Sequence, residues 1–109
     1  MRRAIRSHLA LAVAVLLASA VCFAESPGEA VYKARCQNCH GVTGTPSAGM
    51  TKATGVKPVS DPAIRKLTAA QMFASTKNGK GKMKPFTGLT DAQIRDAVSF
   101  YRGFLNPRP

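Results

Sequence analysis

The chain has 109 residues, room for one domain and not for several. It carries 16 Lys and Arg against 5 Asp and Glu, a net charge of +11, which points to acidic partners, nucleic acid or anionic membrane and away from basic ligands. Its three cysteines are too few for a disulfide framework.

The first segment does not read as part of a folded domain. Arg2, Arg3 and Arg6 precede an apolar run from Leu9 to Ala24 broken only by Ser19. That run is shorter than the ~20 residues of a membrane-spanning helix. A basic start, a short apolar stretch and small residues at its end mark a secretory signal peptide. We place the cut after Ala24, with Ala20 as the second choice. An uncleaved anchor fits the short run less well. Lipoprotein processing at Cys22 fits less well again, because Val21 stands where a small residue is wanted. Removing residues 1–24 takes three arginines and no acid, so residues 25–109 keep a net charge of +8.

Ser26, Pro27 and Glu29 open a helix with an N-cap, a proline at the first position and the acid of a capping box. It runs into Cys36. Residues 41–57 hold four glycines and one proline without an apolar period, and are expected to form a wrapping loop. Ser60-Asp61-Pro62 starts a short helical turn to about Lys66. Thr68 with Gln71 is a second capping box, for a helix to about Lys77, stopped by Asn78-Gly79. Residues 79–86 read as irregular. Thr90 with Gln93 caps a last helix to about Leu105. There Ile94, Ala97, Val98, Tyr101 and Leu105 form one apolar stripe of helical period. No alternating strand pattern occurs, so residues 25–109 are expected to be all-α.

A domain this small seldom draws more than ~3–5 kcal/mol from its core without a staple. Cys36-Gln37-Asn38-Cys39-His40 indicates the staple. C-x-x-C-H is the attachment pattern of c-type haem. Residues three apart on a helix share a face, so two thiols can reach the two vinyl groups of one porphyrin while His40 supplies an imidazole to the iron. Structural zinc needs four ligands, and residues 25–109 have two Cys and one His. A thioredoxin-like pair needs a βαβ context that is missing. A bridge between Cys36 and Cys39 would close almost no loop.

With no second His after residue 24, the remaining iron ligand is sought among Met50, Met72 and Met83. Met72 adjoins Phe73 behind a capping box and is expected to fill core. Met50 sits in the wrapping loop. Met83, in the irregular segment before Lys84-Pro85-Phe86, is the best placed.

Gly28, Tyr32, Cys36-x-x-Cys39-His40, Gly79-x-Gly81-x-Met83-x-Pro85-Phe86 and the last helix from Ile94 through Val98-Ser99-Phe100-Tyr101-Arg102 resemble the class I cytochrome c family, especially its small bacterial and cytochrome c6-like members. The resemblance spans about residues 26–105. It implies an all-α fold of about four short helices around one covalent haem c. Cys36 and Cys39 would form thioethers, with His40 and Met83 as axial ligands. Gly28 would lie where the first helix crosses the last, against Phe100 or its neighbour Tyr101. The Pro46 carbonyl would accept the imidazole N–H of His40, a contact that orients a ligand. Lys84 departs from the family's frequent Met-Pro pair and adds a charge there.

The function implied is one-electron transfer by an exported, periplasmic, monomeric carrier rather than an enzyme, because two axial ligands leave the iron no open position. Met and His together raise its potential. A haem subunit fixed in a larger oxidoreductase, or a haem enzyme or sensor with a labile Met83, are the alternatives. Lys77, Lys80, Lys82 and Lys84 surround Met83 and predict docking to acidic redox partners. Nucleic acid is not an expected partner, for want of a binding module or stacking aromatics. Gly79-Lys80-Gly81-Lys82 lacks the Ser or Thr of a phosphate loop. No membrane span is expected after cleavage.

Overall fold

The computed structural model describes residues 24–107. The leader expected over residues 1–24 lies outside them except for Ala24. Six helices follow in order: α1 (Pro27–Arg35), α2 (Gln37–His40), α3 (Ala48–Thr54), α4 (Pro62–Arg65), α5 (Ala69–Asn78) and α6 (Asp91–Gly103). Among the described residues there is no strand. An isolated antiparallel bridge joins Lys80 and Met83. No helix of the described residues is long and apolar enough to cross a membrane.

Local chemistry explains most boundaries. Thr68 and Gln71 make both bonds of a capping box at the start of α5, and Thr90 and Gln93 do the same for α6. Ser26 caps α1 by accepting from the Glu29 N–H at 3.2 Å. The expected box there is only half made, because Lys33 draws the Glu29 carboxylate to itself at 3.1 Å. Asp61 accepts from the Ala63 N–H and starts α4. Helix α6 ends at Gly103, one residue before Phe104 and short of the expected Leu105.

One element differs from expectation. The wrapping loop contains α3, a two-turn helix with little apolar surface. Ser47 caps it by accepting from the Met50 N–H at 3.1 Å, and Gly55 stops it in the left-handed region. Its existence rests on its ends rather than on a buried face.

Helices α1 and α6 cross at Gly28. A Cβ there would meet the Asp96 carbonyl oxygen and lie 3.2 Å from the Phe100 Cβ. Only glycine lets the two backbones come so near. Tyr32, one turn on, is 1% exposed and touches the rings of Phe100 and Phe104 at 5.3 and 5.5 Å between centroids. The second part of the core lies where α6 meets α5. Met72, Ile94 and Val98 are buried there, with Ile64, Leu67, Phe73, Leu89 and Tyr101 packed around them. Met72 is thus core filling, as expected. The Arg102 guanidinium donates to the Leu67 carbonyl at 2.7 Å and ties α6 to the chain before α5.

Candidate haem site

Cys36 sits at a bend between α1 and α2, its own N–H still bonded to the Tyr32 carbonyl. The N–H groups of Cys39 and His40 both reach the Cys36 carbonyl, at 3.2 and 3.0 Å. The two cysteines therefore lie one helical turn apart, as the spacing predicts. They are not joined to each other; Cys36 is half-buried and Cys39 exposed. Burial pushes the Cys36 thiol up, with Arg35 pulling slightly the other way.

His40 ends α2 and is positioned by aromatic packing. Its ring meets that of Tyr101 edge-on at 5.4 Å. Burial holds its pKa below the usual histidine value, which favours the neutral imidazole that can ligate iron. Its Nδ1 is buried and has no hydrogen-bond partner. The expected bond to Pro46 is therefore not made. Beside it, Tyr32 Oη donates to the Gly41 carbonyl at 2.6 Å, and Thr45 and Pro46 leave no room for a Cβ at Gly41. Tyr101, in the apolar stripe, packs on the core as expected and also meets His40. Its neighbour Phe100 takes the crossing with Gly28, and Tyr101 is left to orient His40.

Met83 lies half-buried in a tighter structure than its sequence suggests. The Lys80 N–H donates to the Met83 carbonyl at 2.9 Å, and the Met83 N–H returns to Lys80 at 3.0 Å. Gly81 takes a φ of 57°, which such a two-residue reversal requires. Three residues on, the Phe86 N–H bonds the Thr76 carbonyl at 3.1 Å, and the Arg35 guanidinium stands over its ring. Met50 is carried on α3 and is also half-buried.

The four lysines are not one uniform patch. Lys77 pairs with Asp91 at 2.9 Å, and Lys82 Nζ donates to the Ala53 carbonyl at 2.8 Å. Lys80 and Lys84 are exposed and have no partner among the described residues. An open groove of about 560 Å³ between α5 and α6 is lined by Phe73, Arg95 and Arg102 among others, and none of the cysteines, His40 or Met83 borders it.

Residues 24–100 match the family model described as cytochrome C oxidase, cbb3-type, subunit III. The chain belongs to this family of c-type cytochrome domains. A solved structure described as KustC0563 c-type cytochrome is similar to it, with a TM-score of 0.63 and 28% identity over 71% of this chain and 95% of that one. Comparison with curated proteins finds no match. The fold is the all-α class I cytochrome c fold, and its prosthetic group is covalently bound haem c with its iron.

The residues of this cytochrome fit that group. Cys36, Cys39 and His40 share one helical turn, and the two thiols are not bonded to each other. No three His, Cys, Asp or Glu among the described residues come near enough to share a metal ion, so Cys36, Cys39 and His40 are not a ready-made three-ligand site. Their spacing suits attachment of a flat macrocycle instead. Six apolar side chains make up the buried core, while Met50, Val56, Met83 and Phe86 stay half-exposed. A core this small suits a fold completed by a large apolar prosthetic group.

Proposed function

We propose that this cytochrome is an exported one-electron carrier of the periplasm, with its signal peptide removed near Ala24. Cys36 and Cys39 would hold the haem by thioethers, and His40 and Met83 would bind its iron. When bound, haem c supplies the Fe(III)/Fe(II) couple. The observation that carries the reading is C-x-x-C-H on one helical turn in a chain that matches a c-type cytochrome family. The protein's part is to pack the His40 imidazole against Tyr101 and to hold Met83 in a closed turn. With both side chains bound, the iron would have no place for a substrate, which favours a carrier over an enzyme. Lys80 and Lys84 flank Met83 and offer an acidic redox partner a place to dock. Each such exposed pair is worth only ~0.2–1 kcal/mol, which suits brief encounters.

The name of the matched family supports a second reading, a haem subunit held within a larger oxidase. A carrier leaves the cell in a soluble periplasmic fraction as a monomer by size. A fixed subunit co-purifies with membrane-bound partners.

Acid extraction of the denatured protein tests the attachment. The haem absorbance is expected to stay with the chain, at the mass of residues 25–109 plus one haem, and haem released by acid overturns it. In the same preparation, Met83→Ala is expected to lose the sulfur-to-iron charge-transfer band and to gain affinity for cyanide, with Met50→Ala leaving both unchanged. The opposite pattern assigns the ligand to Met50.

A further inference from the structure

Lys82 precedes Met83 directly, and its sequence context marks it as one more surface charge. Its side chain does something else. Nζ donates at 2.8 Å to the carbonyl of Ala53, 29 residues earlier in the chain. Ala53 lies in the last turn of α3, where backbone carbonyls have no acceptor role left inside the helix. The negative end of the helix dipole adds to the attraction for a cation.

The Met83 turn has two kinds of restraint. The reciprocal bonds between Lys80 and Met83 fix its shape. They do not fix its place, because a turn closed on itself can still swing as a body about its ends. The far end of the segment is anchored to α5 by the Phe86 N–H on Thr76. The bond from Lys82 to Ala53 anchors the turn itself, to α3.

We propose that Lys82 is a positioning residue for the haem site, whose bond to Ala53 holds the Met83 turn against the end of α3 and so keeps the Met83 thioether on the iron. The proposal rests on the reading that Met83 is a ligand. It takes Lys82 out of the docking patch and gives it a role within the molecule. Lys80 and Lys84 carry the same charge two positions away on either side without such a bond, and serve as internal controls.

The test uses the ferric holoprotein and four variants. Lys82→Met keeps the length and apolar stem but removes the donor; Lys82→Arg keeps a cationic donor; Lys80→Met and Lys84→Met remove the same charge nearby. The readouts are the rate of cyanide binding and the temperature at which the sulfur-to-iron band is lost, set beside the melting curve by far-UV circular dichroism. Lys82→Met is expected to bind cyanide about two- to tenfold faster, the effect of one lost hydrogen bond on the opening of the turn. Its band should fade well below the temperature at which its helices melt. Lys82→Arg, Lys80→Met and Lys84→Met should behave as wild type. A Lys82→Met protein indistinguishable from wild type overturns the proposal, and so do equal changes in all three methionine variants, which would make the effect one of net charge. A wild-type holoprotein without the band removes the Met83 assignment first and this proposal with it, so the two failures are told apart.

Discussion

The α1–α6 crossing and the 79–86 segment both belong to the family resemblance, yet they are built differently. At the crossing, Tyr32 is 1% exposed and two backbones touch through Gly28. In residues 79–86 no side chain is buried, and the restraint comes from backbone bonds and a lysine. Close packing resists any change of shape, because filled space cannot give without moving its neighbours. Exposed hydrogen bonds exchange with water and give locally. The comparison teaches that damage at the crossing should be read in global stability and, on the proposed ligation by Met83, damage in the 79–86 segment in how firmly the iron is held.

Gly28→Val should have the largest effect on melting. The added side chain meets the Asp96 backbone, which cannot move as a side-chain tip can. Overpacking costs ~1–3 kcal/mol, and the high end is expected here. The holoprotein should melt several degrees lower with its charge-transfer band intact until it unfolds. An unchanged melting temperature would show that the crossing is looser than its geometry indicates.

Tyr32→Phe comes next. It keeps the ring contacts with Phe100 and Phe104 but deletes the donor to the Gly41 carbonyl. The loss of one such bond costs ~0.5–1.5 kcal/mol. Calorimetry should show a modest drop in stability. Because Gly41 directly follows His40, a small change in the haem spectrum should accompany it.

The double change Lys80→Glu with Lys84→Glu should do least to folding, within the ~0.5 kcal/mol of a surface substitution. Its effect belongs to encounter. Oxidation or reduction by an acidic redox protein, followed by stopped flow, should slow ~10-fold or more at low salt and lose its fall with rising salt. Superimposable salt profiles for wild type and variant would show that these two lysines do not guide docking.

The features legible in the sequence are those set within one turn of helix. Both complete capping boxes, the i, i+3 and i+4 stripe of α6 and the one-turn spacing of Cys36 and Cys39 depend only on residues three or four apart, so they stand in the structure as they read in the chain. The close approach at Gly28 was legible only through a family resemblance, since nothing local to Gly28 reveals what lies across from it. Helix α3 was not legible as a helix, because no apolar face announces it, although Ser47 and Gly55 stand at its two ends.

What the tertiary structure alone decided are the contacts between distant segments. His40 Nδ1 is left without the Pro46 carbonyl, while the Tyr32 hydroxyl reaches the Gly41 carbonyl. Two lysines of an apparently uniform run are already engaged, Lys77 by Asp91 and Lys82 by Ala53. Tyr101 serves His40 while Phe100 meets Gly28. Residue type and spacing determine what a side chain can do. Which partner it meets depends on how helices far apart in the chain are brought together, and packing settles that over the whole domain.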